Sequence, residues 1–148
     1  MNGKELKMST QIRPETSKKS PYWIPKHRYY ELKHFVMQYP EWKEMLRTID
    51  GKANTKLLLD GIKSSDVSNP VLKAVELREQ YNKNIAICNE AITKVYPENY
   101  IIGNYILLAI LGDKSYDKMR AKYDIPFGKD TWYELYRKFF WLLDHARR

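Results

Sequence analysis

The sequence predicts an all-α fold: a small helical domain with a long central helix and a C-terminal helix-turn-helix. Three observations carry this expectation. Apolar residues recur at spacings of three and four through most of the chain, as on one face of a helix. No segment alternates apolar and polar residues as a half-buried strand does. Pro, Gly, Asn and Ser punctuate the periodic segments where helices start and stop. With 148 residues and 43% hydrophobic content, the chain suffices for one ordinary domain with a real core. Twelve Tyr and four Trp make that core aromatic.

Each element follows in order. Residues 1–20 are poor in apolar side chains and rich in Lys, Ser and Thr, so a flexible basic arm is expected there. A single helical domain is expected over 21–148. Pro21 and Pro25 bracket an extended stretch whose Tyr22, Trp23 and Ile24 dock on the core. A helix starts at Lys26, with Tyr29, Leu32, Phe35 and Val36 inward. Pro40 opens a second, short helix with Trp42, Met45, Leu46 and Ile49 on one face, closed by Asp50-Gly51. Residues 51–69 are ambiguous: Leu57-Leu58-Leu59 suits a helical turn, and Ser64 to Asn69 suits a loop. Asn69-Pro70 is a strong helix start, with Asn as cap and Pro first in the helix. A long helix follows to about Val95, its stripe formed by Val71, Val75, Tyr81, Ile85, Cys88, Ile92 and Val95.

After Pro97, Tyr100, Ile101, Tyr105, Leu108 and Leu111 suit a nearly buried helix stopped by Gly112. Ser115 caps a short helix that ends near Tyr123, with Asp117 in its first turn, where a carboxylate suits the helix dipole. Ile125-Pro126-Phe127-Gly128 makes a turn. Asp130 or Thr131 caps the last helix, and Thr131-x-x-Glu134 fits a capping box.

Charge and cysteine usage bound the function. The net charge is +8 and is unevenly placed. Residues 1–28 hold seven basic against two acidic residues, 29–111 hold ten of each, and 112–148 hold nine against six. A basic excess at both ends raises the local concentration of polyanions, although it also serves plain solubility. No apolar run reaches the roughly 18 residues of a membrane span, and MNGKELKMST lacks the apolar core of a secretory signal, so no membrane partner is expected. The one cysteine, Cys88, forms no internal disulfide, which points to a reducing, cytoplasmic home. It falls on an apolar stripe and suits a buried, inert thiol rather than a nucleophile.

The C-terminal unit, SYDKMRAKYDIPFGKDTWYELYRKFFWLLDHARR from Ser115, is the segment that speaks to function. In a helix-turn-helix the second helix lies in the major groove and its first two turns touch base edges. Trp132, Leu135, Tyr136, Phe139, Leu142 and Leu143 supply the inward face. Lys129, Thr131, Tyr133, Glu134, Arg137 and Lys138 fall outward near the start. Arg137 and Lys138 suit phosphates or guanine edges, and Thr131 and Tyr133 suit phosphate or a thymine methyl. Glu134 suits either a cytosine amino group or the cap. Lys114, Lys118, Arg120 and Lys122 can ride the backbone from the first helix. The bland alternative is two amphipathic helices with solvated charges.

Two stretches carry a resemblance: YWIPKHRYYELK from Tyr22 with QYPEW from Gln38, and YELYRKFFWLL from Tyr133. They resemble small proteins encoded in phages and prophages of Gram-positive bacteria. The terminal stretch is also similar to the helix-turn-helix of phage transcription activators of the RinA and ArpU type, which look like region 4 of bacterial sigma factors. The resemblance covers roughly residues 20–50 and 100–145. It implies a bacterial host cytoplasm and DNA contact through Lys129 to Lys138. The turn, with Pro126 and Gly128, is longer than is usual there.

Other constellations carry less. His27 and His34 are seven apart, a poor spacing for a metal pair on a helix, and no Cys or carboxylate cluster accompanies them, so no metal or cofactor is expected. The carboxylates are scattered. Pro25 to Tyr39 interleaves Lys26, His27, Arg28 and Lys33 with aromatics, which suits either a core face with solvated charge or a second nucleic-acid contact. The expectation is therefore a non-enzymatic transcription regulator of double-stranded DNA, with homodimer formation left open. The alternative is a helical adaptor or inhibitor of a host protein or ribonucleoprotein, such as RNA polymerase or a defence nuclease (an anti-CRISPR activity).

Overall fold

The computed structural model describes residues 19–60 and 70–148, with side chains over 19–51 and 70–148. All regular structure among these residues is helical: α1 Lys26–Met37, α2 Tyr39–Asp60, α3 Pro70–Lys94, α4 Tyr100–Gly112, α5 Tyr116–Lys122 and α6 Lys129–Ala146. The fold class is all-α, and α3 is the long helix that Pro70 announces. The expected arm as far as residue 18, and the Asn69 cap with the loop before it, lie outside the described residues. Packing separates two compact units, one joining the described residues up to Met37 with Asn89–Arg148, the other Gln38–Cys88.

In the first unit, α1 packs on α4 and α6, α4 packs on α6, and α5 packs on both α4 and α6. Tyr29, Leu32 and Val36 of α1 meet this core from one side, and Trp132, Tyr136, Phe139, Phe140 and Leu143 of α6 are fully buried. Tyr29 packs edge-on against Phe140, centroids 4.8 Å apart, and Tyr136 meets Phe140 at a tilt, centroids 5.4 Å apart. Burial, with the Tyr29 hydroxyl beside it, pushes the Tyr136 phenol well above its ordinary range, so it stays neutral. Pro21 to Pro25 docks as expected: Ile24 is buried, and Tyr22 packs edge-on against Trp141 at 5.4 Å.

The buried face of α4 differs from the expected one. Tyr100, Ile101 and Leu108 are exposed, while Ile102, Ile106, Leu107 and Ile110 are buried. The helix carries no charged residue from Tyr100 to Leu111, and its one amide, the exposed Asn104, marks the side shared by Tyr100, Ile101 and Leu108. Gly103 fixes the rotation as well. A Cβ built there would lie 2.0 Å from the Ile92 carbonyl oxygen, so the α4 backbone lies directly on the last turn of α3. Asn99 caps α4, its side chain accepting from Ile101 N–H at 3.2 Å. The stop is Asp113, in the left-handed region at φ 52°, rather than Gly112 itself. Lys33 of α1 reaches Asp113 at 3.2 Å and ties α1 to this corner.

Two further expectations are corrected. The second helix does not close at Asp50-Gly51 but continues to Asp60. A glycine within a helix costs only about 1 kcal/mol relative to Ala, which neighbouring turns outweigh. The Thr131-x-x-Glu134 capping box does not form. The N-cap of α6 is Gly128, three residues before Thr131, and it makes no side-chain cap bond.

The second unit comprises α2 and α3 as far as Cys88. Trp42 and Cys88 are buried, the latter as its stripe position suggests. Val75, expected on the α3 stripe, is exposed, as are Met45 and Leu72. Arg78 of α3 bonds Asp50 of α2 at 2.9 Å.

Gly103→Ala tests the α4 contact. At an exposed helical site this change gains up to about 1 kcal/mol. Here the methyl meets backbone that cannot swing aside, and we expect a loss of about 1–3 kcal/mol or more in urea unfolding. A melting temperature equal to or above that of the parent chain would show that α4 does not lie on Ile92 this way.

Candidate nucleic-acid interface

The C-terminal pair is built from α5, the Tyr123 to Gly128 connection, and α6. Ser115 caps α5, its hydroxyl accepting from Lys118 N–H at 3.3 Å. Met119 is buried, which turns Lys118 and Lys122, four apart, to the same solvent-facing side. The connection is braced rather than loose. Ile125 is buried, Phe127 packs edge-on against Tyr96 at 5.2 Å, and the Tyr116 hydroxyl donates to the Phe127 carbonyl at 2.6 Å. Arg120 donates to that same Tyr116 oxygen at 2.9 Å, which raises its guanidinium pKa and leaves it charged.

The proposed contact residues are placed unequally. Lys118, Arg120, Lys122, Lys129 and Thr131 are exposed, around α5 and the first turn of α6. Lys114 is half-buried, its chain folded against Gly112. Tyr133 faces the scaffold: its hydroxyl accepts from the Tyr116 backbone N–H at 2.9 Å, filling one of the open donors at the start of α5. A depression of about 320 Å³ between the two helix starts is lined by Lys118 and Lys129, by Asp113 and Asp117, and by Ser115, Tyr116 and Tyr133.

Farther along α6 the polar face is occupied. Arg137 holds Glu134 at 3.0 Å and is half-buried, as is Lys138. The Ser20 hydroxyl donates to the other Glu134 oxygen at 3.2 Å and accepts from Tyr22 N–H at 3.1 Å. The leading segment thus meets α6 at Glu134 in its second turn and at Trp141 in its fourth, and Glu134 serves it rather than a cap. Nothing in the sequence pairs Ser20 with Glu134, so this cover was not legible there.

At the far end, Asp144 is the one buried charged side chain among the described residues. Arg28 Nε donates to its Oδ1 at 2.6 Å, and Arg148 donates to its Oδ2 at 2.7 Å. Burial alone pushes this carboxyl up, but the bonds from Arg28 and Arg148 outweigh it and hold it below the ordinary carboxylate range. The Arg28 guanidinium is raised in turn, chiefly by its bond to Asp144. The Arg147 guanidinium lies 4.0 Å above the Phe35 ring, a second tie between α6 and α1.

No group of three or more His, Cys, Asp or Glu among the described residues is placed to hold a metal ion. Among these residues, no helix is long and apolar enough to cross a membrane. No protein-family model, curated protein or solved structure matches the chain.

The Asp144 network makes stability depend on pH. Its folded pKa is lowered, so its contribution is present in full above the ordinary carboxylate range and is lost as pH falls through the lowered value. Asp144→Asn should therefore cost roughly 1–3 kcal/mol near neutrality. The gap to the parent chain should close in strong acid. An equal gap at both pH values would mean the carboxylate charge does not hold α1 to α6.

Proposed function

We propose that this protein is a non-enzymatic, phage-type regulator of transcription that binds double-stranded DNA, with α5 and α6 acting as its helix-turn-helix. The supporting observation is the group of exposed residues Lys118, Arg120, Lys122, Lys129 and Thr131 around the start of α6. That start is open: Gly128 is exposed and no side chain bonds the first-turn N–H groups. Such groups, with the positive end of the helix dipole, receive phosphate oxygens well. In this reading Lys118 and Lys122 bind one strand's phosphates, and Lys129 and Thr131 carry the start of α6 to the groove. The interleaved Asp117, Asp124 and Asp130 repel phosphate and limit indiscriminate binding. Arg137 and Lys138 have a secondary part here, because Glu134 and the leading segment engage that face.

Fluorescence anisotropy with a mixed-sequence duplex over a salt series tests this. Log affinity should fall linearly with log salt, and Lys118→Ala with Lys122→Ala should lower the slope by about two. Both side chains are exposed, so circular dichroism should show an intact fold. Duplex binding whose slope is unchanged by this pair would move the contact away from α5. No binding at low salt would defeat the reading and leave the host-protein adaptor in its place.

A further inference from the structure

The basic and aromatic residues of Lys26 to Tyr39 find partners that the sequence does not announce. Tyr29 is buried and Arg28 is bonded to Asp144, so neither offers a free surface. Lys26 and His27 remain exposed in the first turn of α1. The Arg28–Asp144–Arg148 bonds bring that turn against the end of α6, where His145, Arg147 and Arg148 are also exposed. His145 lies on Trp141, ring centroids 4.1 Å apart, and Tyr22 meets the same indole edge-on. The carboxylates at this end are already matched: Asp144 takes two guanidinium groups, and Glu31 takes Arg28 at 3.1 Å. Positive charge is therefore left over, next to rings that can stack.

We infer that this end of α6 is a second nucleic-acid contact, in which Lys26, His27 and Arg147 hold a phosphodiester backbone beside the tilted Trp141–His145 pair. It is separate from the α5 surface. α6 spans 18 residues, which sets its two ends about 27 Å apart. Duplex DNA advances about 3.4 Å per base pair, so the two contacts would reach phosphates roughly eight base pairs apart, or one contact would hold a single strand beside the duplex. The inference rests on the proposed nucleic-acid function but concerns different residues.

The test uses the full chain, a mixed-sequence duplex and an oligo-dT strand. Lys26→Ala with Arg147→Ala should lower the salt slope by about one to two on at least one probe. A drop on the duplex alone assigns a flanking duplex contact, and a drop on oligo-dT assigns a single-strand contact. Arg147→Lys keeps the charge and should bind like the parent chain. If Arg147→Lys loses as much as Arg147→Ala, the effect is packing on Phe35 and the inference falls. If the pair leaves both slopes unchanged while Lys118→Ala with Lys122→Ala lowers the duplex slope, this second contact is wrong and the first stands. If the parent chain binds neither probe, both fail.

Discussion

Asp144 is a charge held inside the seam between α1 and α6, and the arrangement of the first unit depends on how it is held. A buried carboxylate without partners would cost several kcal/mol. Arg28 and Arg148 supply charge-assisted bonds to both of its oxygens. The Arg28 bond crosses from α1 to α6 and opposes sliding of one along the other, while Arg148 holds the second oxygen from the same end of α6, and the Tyr29–Phe140 contact joins the two helices as well. Apolar packing provides most of the stabilisation in such a core. The ion pair adds direction, because an aromatic interface tolerates several registers and a bonded carboxylate tolerates few.

With α1 and α6 locked, α4 has one way to fit. Asn104 is its single strongly polar side chain, so burial alone chooses its rotation only weakly. Gly103 fixes it, by letting two backbones approach where no Cβ fits. α5 then rests on α4 and α6 and displays Lys118 and Lys122 outward. The presentation of the proposed DNA-binding surface thus traces back to a charge pair and a glycine that never touch it.

Helix positions were legible in the sequence because single residues mark them. Pro70 and Ser115 stand at helix starts, and the inward set Tyr29, Leu32, Phe35 and Val36 is buried as its spacing requires. Orientation was less legible. Tyr100, Ile101 and Leu108 formed a plausible inward set, but so did their neighbours in a helix without charged residues, where Asn104 alone marks the outward side. Long-range pairing was invisible: Arg28 and Asp144 are separated by 116 positions, and Ser20 and Glu134 by 114. The same limit applies to the candidate site. Outward spacing correctly exposed Lys129 and Thr131, but it could not reveal that Tyr133 bonds the α5 backbone or that Ser20 bonds Glu134.

The most direct measurement of the account is an amide chemical-shift map of the isotope-labelled full chain titrated with a mixed-sequence duplex. Phosphate contact through α5 and the open start of α6 predicts that the largest shifts cluster at Lys118 to Lys122 and Gly128 to Thr131. The buried amides of α4 should stay in place. Shifts confined to Gln38–Cys88, or a spectrum unmoved by duplex at low salt, would contradict it.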